Sequence, residues 1–268
     1  MNKFKLLSAI AVCVVTACTT SPTGRSQLLL MGNNDVAKMG LSSFDQIKSK
    51  EKISTDAKTN AFVQCVAKSI TQTIPAKYSA TNPGEWEVVV FDSEQVNAFA
   101  LPGGRIGVYT GILKVTENQD QLAAVIGHEV SHVLSQHSNE RLSQETVANT
   151  GMSIADKLLK NGTSKSGTMA ALGMGVQYGV LMPYSRSHET EADVLGVQLM
   201  AQAGFNPVES VKLWKNMAAA NNGKAPMEIL STHPSDSTRI QQLQSLLPTV
   251  TPMYKTAQSQ GIHPQCAG

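Results

Sequence analysis

The sequence predicts one helix-dominated α+β domain of about 240 residues, with a small β-sheet set beside a single apolar helix. Three observations carry that prediction. Two β-type runs, Glu85–Phe91 and Arg105–Tyr109, are bounded by Pro and Gly in the first half of the chain. Everything after Gln119 is helical in character, with caps and prolines punctuating the runs. No internal repeat divides the chain.

The first residues read as a targeting segment. Lys3 and Lys5 form a basic start, and Leu6–Val15 is apolar but too short to span a bilayer. Val15-Thr16-Ala17-Cys18 then puts small residues before a cysteine. This resembles the bacterial lipobox, so residues 1–17 are expected to be a lipoprotein signal peptide and Cys18 the lipidation site; an ordinary signal peptide cut near Ala17 is the alternative. Thr19 rather than Asp follows the cysteine, which by the lipoprotein sorting rule implies the periplasmic face of the outer membrane. Residues 18–30 are expected to be the lipidated N-terminus and a tether, since Thr19–Gln27 is rich in Ser, Pro, Thr and Gly. Residues 31–268 are the expected domain.

Removing Lys3 and Lys5 with the leader turns 22 basic and 20 acidic residues into 20 and 20. A formally neutral chain with scattered charges gives no footprint for nucleic acid. Of four cysteines, Cys13 falls in the leader and Cys18 is the lipid site. Cys65 and Cys266 remain, a disulfide candidate in a compartment where disulfides persist, or else two unrelated thiols.

Within the domain, Asn34–Lys50 and Asp56–Ile74 are predicted helices, the second capped by Asp56. Asn97, Ala98, Phe99 and Ala100 are candidates for a strand edge that holds an extended peptide, with Pro102-Gly103-Gly104 as the turn into the next strand; an ordinary hairpin under the neighbouring helix fits the same residues. Ser166–Met182 is apolar but short and glycine-rich, which favours a buried or mobile segment over a membrane span. Asn206-Pro207 opens a later helix that Asn222-Gly223 closes, and Ser235 is expected to cap Ser237–Leu247 before Pro248 stops it.

The chemistry is concentrated in His128-Glu129-Val130-Ser131-His132, inside the apolar-periodic run Asp120–Gln136. Residues four apart share a helix face, so both imidazoles can bind one ion while Glu129 stands beside it as a base toward water. Two His and a Glu in so apolar a helix would be costly without a metal or partners. A third ligand is needed. Ser135 and Ser138 occupy the positions where an extended H-E-x-x-H-x-x-G-x-x-H motif has its Gly and third His, which closes that route. His137 misses the register by one and reads as an outer-shell or surface histidine. The helix opening at Ser185 offers Glu189 and Asp193 one turn apart, one for the ion and one for a ligand imidazole. Glu191 projects about 160° away and should face elsewhere, and His188 is a conceivable ligand.

His128-Glu129-x-x-His132, Glu189-x-x-Ala192-Asp193, Asn97 to Gly104, and His233-Pro234 with Arg239 together resemble the zinc endopeptidases that include HtpX, the CAAX prenyl endopeptidases and the mitochondrial protease OMA. Within that family the chain looks most like the soluble outer-membrane lipoproteins. The resemblance implies a minimal gluzincin domain with one Zn²⁺ per chain held by His128, His132 and Glu189. It makes Glu129 the general base and Asp193 its catalytic support behind the ligands. His233 and Arg239 are candidate oxyanion donors, and His233 is alternatively a gating fourth ligand. Implied substrates are unfolded or misassembled envelope proteins, with the membrane reached through the lipid. The rival is an assembly factor or chaperone whose zinc site is shut by a histidine cap.

Overall fold

A computed structural model describes residues 18–159, 184–220, 228–233 and 237–266. The expected leader 1–17, the apolar run 166–182, the Asn222-Gly223 stop and the Ser235 cap lie outside the described residues. The architecture is the helix-dominated α+β arrangement, with strands β1 (Cys18–Thr20) and β2 (Ser26–Leu28), helices α1 (Asn33–Lys50) and α2 (Ala57–Gln72), then β3 (Glu87–Phe91), β4 (Ala98–Leu101) and β5 (Arg105–Tyr109). Helices α3 (Gln119–Leu134), α4 (His137–Leu159), α5 (Arg186–Gln202), α6 (Val208–Ala220), α7 (Glu228–Thr232) and α8 (Ser237–Ser259) follow.

Asp56 caps α2 as its sequence position suggests, its carboxylate accepting from the Thr59 N–H at 2.7 Å. The three-stranded sheet runs β3-β5-β4, with β3 parallel and β4 antiparallel to the central β5. Gly103 and Gly104, at φ 86° and 74°, make the left-handed turn between β4 and β5. Alternation along β4 then sorts its side chains. Phe99 and Leu101 join Phe44, Phe91 and Tyr109 beneath α1, while Ala98 and Ala100 join the main core with α2 and α3. The two alanines are short, so α3 can lie directly beside this edge strand.

Asn118 caps α3, accepting from the Gln121 N–H at 2.9 Å, and every residue from Gln121 to Leu134 is buried. An apolar helix of this kind belongs in the centre, and α3 packs against α2, β4, α5 and α6. Its closest neighbour is α5, because glycines face each other at the crossing. A Cβ on Gly196 would fall 2.8 Å from the His128 backbone nitrogen, and one on Gly127 would fall 2.9 Å from the Gly196 carbonyl oxygen. That approach brings the start of α5 against the His-Glu motif.

Two expectations are corrected. The 18–30 tether is instead a packed hairpin, with Cys18 paired to Leu28 and Thr20 to Ser26. Its turn is Ser21-Pro22-Thr23-Gly24, closed by the Gly24 N–H on the Ser21 carbonyl at 2.9 Å, and Gln27 donates to the Ser135 carbonyl at 2.6 Å. Pro248 does not stop the last helix. α8 runs on through Pro248 and Pro252 because Leu243, Val250 and Ala257 are buried along one side against α5 and α6, and that packing outweighs the two lost backbone donors. Cys65 and Cys266 are joined in a disulfide that ties α2 to the C-terminal tail, with their Cα atoms 5.6 Å apart. Among the described residues, no helix is long and apolar enough to cross a membrane.

Candidate metal centre

His128 and His132 stand one turn apart on α3, Glu189 begins α5, and His233 follows α7. One ligand atom from each lies within 4.8 Å of all the others, and all four residues are buried. The contacts among them are shorter still. His128 Nε2 is 3.1 Å from His132 Nε2 and 3.3 Å from His233 Nδ1, while Glu189 oxygens lie 3.0 Å from His233, 3.4 Å from His128 and 3.5 Å from His132. Ligands about 2.0–2.1 Å from a tetrahedral zinc stand about 3.3–3.4 Å apart, so the spacing and the N₃O chemistry both suit that ion. Glu129 lies buried beside this group. Its Oε1 has no hydrogen-bond partner among the described residues and is 3.4 Å from His233 Nε2.

A second layer of residues aims the first. Asp193 Oδ1 is 3.1 Å from His128 Nδ1, so the Nδ1–H points at the carboxylate and Nε2 is the nitrogen turned toward the centre. His132 uses an imidazole for the same purpose, its Nδ1 lying 2.8 Å from His137 Nδ1. Gln136, at φ 55°, turns the chain back so that His137 comes under His132 although five residues separate them. Tyr184 stacks on His132 with ring centroids 3.8 Å apart. Arg239 is buried over Trp214 and clamps the acids of α5. It reaches Asp193 at 2.7 and 2.8 Å and Glu189 at 2.7 Å, so its guanidinium is engaged with both acids.

The electrostatics match those contacts. Burial opposes charge on His128, but bonds to Asp193 and Glu189 outweigh it and raise its pKa to about 9. Burial, and after it the neighbouring His128, hold His132 well below the ordinary imidazole value. Burial works against ionisation of Glu189, yet His233 and His128 draw its carboxyl well below the usual range. Burial pushes Glu129 upward, toward a proton affinity suited to a base.

Residues 53–247 match the family model described as peptidase family M48. The chain belongs to that family. Family M48 relatives include the mitochondrial metalloendopeptidase OMA1 of Schizosaccharomyces pombe, 38% identical over 61% of this chain and 47% of that protein. The OMA1 metalloendopeptidase of Bos taurus is 31% identical over 95% of this chain and 52% of its own length. The β-barrel assembly-enhancing protease of Yersinia pestis is 29% identical over 63% of this chain and 36% of that protein. The chain thus spans about half the length, or less, of the curated relatives it matches. These relatives carry the resemblance to M48 as a whole, and they are OMA1 metalloendopeptidases and a β-barrel assembly-enhancing protease.

The structure brings His128, Glu129, His132, Glu189, Asp193, His233 and Arg239 together. His188 stays outside, stacked on His137 and bonded to Glu140. Glu191 does turn away from the ligand group, but it is buried, bonded to His137, Thr23 and Arg25. The importance of Tyr184, Trp214, Glu140 and Arg25 escaped the sequence reading. Only the Arg25 hairpin carried a signal, the Ser21-Pro22-Thr23-Gly24 turn.

Proposed function

We propose that this chain is a zinc-dependent endopeptidase of the bacterial cell envelope, lipid-anchored at Cys18 to the periplasmic face of the outer membrane. Its substrates are unfolded or misassembled envelope polypeptides. The observation that carries this reading is a three-histidine, one-glutamate ligand group at tetrahedral spacing with Glu129 beside it, its buried Oε1 without a hydrogen-bond partner among the described residues. Support for the compartment comes from the Lys3 to Cys18 pattern and from a relative named for β-barrel assembly.

His128, His132 and Glu189 would hold zinc, which when bound polarises the scissile carbonyl and lowers the pKa of the attacking water. Glu129 takes that water's proton on Oε1 and returns it to the leaving amine. Asp193 keeps His128 in the tautomer that ligates, and Arg239 holds Asp193 and Glu189 in place. Substrate lies extended along β4, the sheet's edge strand, where Asn97 to Ala100 offer main-chain groups without requiring a sequence. Asn97 Oδ1 already accepts the Ala98 N–H at 2.9 Å, so pairing with substrate falls mainly to Ala100. His233 is the oxyanion donor once it leaves the ligand group.

A second reading is favoured by one observation. His233 Nδ1 sits 3.0–3.3 Å from Glu189 and His128, the place of a fourth ligand, and four protein ligands make a closed site. In that state the chain would be an assembly factor or chaperone with a shut, His-capped zinc site. Digestion of casein with and without a chelator separates the two. Chelator-sensitive cleavage supports the enzyme, and its absence in zinc-loaded wild type together with cleavage by His233→Ala supports the cap.

A further inference from the structure

The hairpin β1–β2 is joined to ligand His132 by an unbroken chain of polar contacts that runs from exposed Thr23 and half-buried Arg25 into the core. Thr23 donates to Glu191 Oε1 from its backbone N–H at 3.1 Å and from its hydroxyl at 2.8 Å. Arg25 reaches Glu191 Oε2 at 3.1 Å and also grips both oxygens of Glu140 at 2.6 Å. Glu191 Oε2 in turn faces His137 Nε2 at 3.1 Å, and His137 Nδ1 faces His132 Nδ1 at 2.8 Å. His137 and Glu191 are almost wholly buried, so water does not compete along the inner part of this path, from Glu191 to His132.

The order of donors follows from the end that is fixed. A carboxylate only accepts, so His137 Nε2 carries the hydrogen. The other nitrogen of His137 is then bare and accepts from His132 Nδ1–H. His132 Nε2 is left bare in turn, and that is the atom facing the ligand group. If Glu191 were to swing away, His137 would be free to adopt the opposite tautomer. Its Nδ1–H would then meet His132 Nδ1, and His132 could keep its own hydrogen on the atom that must ligate.

We propose that the hairpin is a positioning element of the metal centre. Thr23 and Arg25 fix Glu191, Glu191 fixes the tautomer of His137, and His137 fixes that of His132. The α3 ligands thus have different supports: a carboxylate on α5 for His128, and an imidazole–carboxylate relay pinned by the N-terminal hairpin for His132. The relay rests on His132 being a metal ligand, so metal binding and not proteolysis is the quantity to measure.

The test compares wild type, His137→Phe, Thr23→Val and Asn139→Ala. His137→Phe keeps an aromatic ring and removes the acceptor. Thr23→Val keeps the shape and removes one bond to Glu191. Asn139→Ala cuts a different tie of the same region, the 2.8 Å bond to the Met31 carbonyl, and does not touch the relay. Zinc Kd is read by competition with a chromophoric chelator, ligand geometry from the visible spectrum of the cobalt-substituted protein, and folding from thermal melts. His137→Phe should weaken zinc about 10- to 100-fold and shift the cobalt spectrum. Thr23→Val should weaken it less, and Asn139→Ala should lower Tm while leaving Kd unchanged. Should His137→Phe not fold, Thr23→Val decides. Wild-type affinity and spectrum in the folded relay variants would overturn the relay alone, as would equal losses in Asn139→Ala. A wild type that binds no zinc would overturn the ligand set itself, and the relay with it.

Discussion

Gly196→Ala perturbs the metal centre without changing any group that touches the ion. A Cβ at this position would lie 2.8 Å from His128 N, 2.9 Å from His128 Cα and 3.0 Å from Gly127 C. These are backbone atoms of α3, and none can rotate aside. Going from 2.8 to an ordinary 3.4 Å requires α5 to withdraw by about 0.6 Å. Glu189 and Asp193 ride on α5, so their oxygens recede from His128 and His132 by a similar amount, past the roughly 0.5 Å tolerance of a working constellation. Overpacking costs about 1–3 kcal/mol and is offset by about 1 kcal/mol of helix propensity, so stability should fall by about 0–2 kcal/mol. Zinc affinity should fall by about 10-fold or more, a loss out of proportion to the change in stability. Chelator competition and thermal melts on the purified protein measure both. Gly32→Ala is the control, since its nearest neighbour is the Asp35 carboxylate at 3.4 Å and Gly32 already has φ −66°. Undiminished zinc affinity in folded Gly196→Ala would show that the glycine crossing does not set the ligand spacing.

Glu189→Ala should abolish tight zinc binding, and Asp193→Ala should weaken it about 10- to 100-fold; metal analysis after dialysis ranks them, and the reverse order would misplace the ligand. Cys266→Ser should slow migration on non-reducing gels to the reduced position and lower stability by about 2–5 kcal/mol, because the bond closes a loop with a sequence separation of 201 residues. In acid, the metal-free protein should lose stability between about pH 4.5 and 2. Burial pushes Glu140 up, but His188 and Arg25 outweigh it and hold its pKa at about 2 against an ordinary 4.5. Its stabilisation is therefore complete above the ordinary value and disappears as pH falls through the folded one. Arg25→Ala should flatten that part of the Tm-against-pH curve, and an unchanged slope would remove Glu140 from the explanation.

The parts legible in sequence were those where local chemistry and tertiary packing agree. The His128 to His132 spacing needs only helical periodicity, and the Glu189 to Asp193 pair needs the same rule on a second helix. Asp56 was legible because a cap is a contact within one turn. Pro248 and Pro252 were misleading for the converse reason: proline's local penalty is real, but burial of Val250 and its neighbours decides the outcome. The N-terminal hairpin looked like a tether because Ser, Pro, Thr and Gly serve turns and linkers alike. Long-range contacts distinguish them, such as Arg25 meeting Glu140 and Glu191, 115 and 166 residues away. His137 was out of helical register with His132, and the left-handed Gln136 that restores the contact has no signature in its residue type. Gly127 and Gly196 have no periodic partner either, since their role exists only once the two helices cross.

Zinc content and casein hydrolysis measured together on Glu129→Gln test the proposed chemistry most directly. Gln preserves the shape of the side chain and leaves His128, His132, Glu189 and His233 untouched, but it cannot take a proton. Zinc should bind as in wild type, the melt should be unchanged or slightly higher because a buried carboxyl has been neutralised, and hydrolysis should fall by about 10²–10⁴-fold. A zinc-loaded Glu129→Gln that digests casein at the wild-type rate would contradict the assignment of Glu129 as the base.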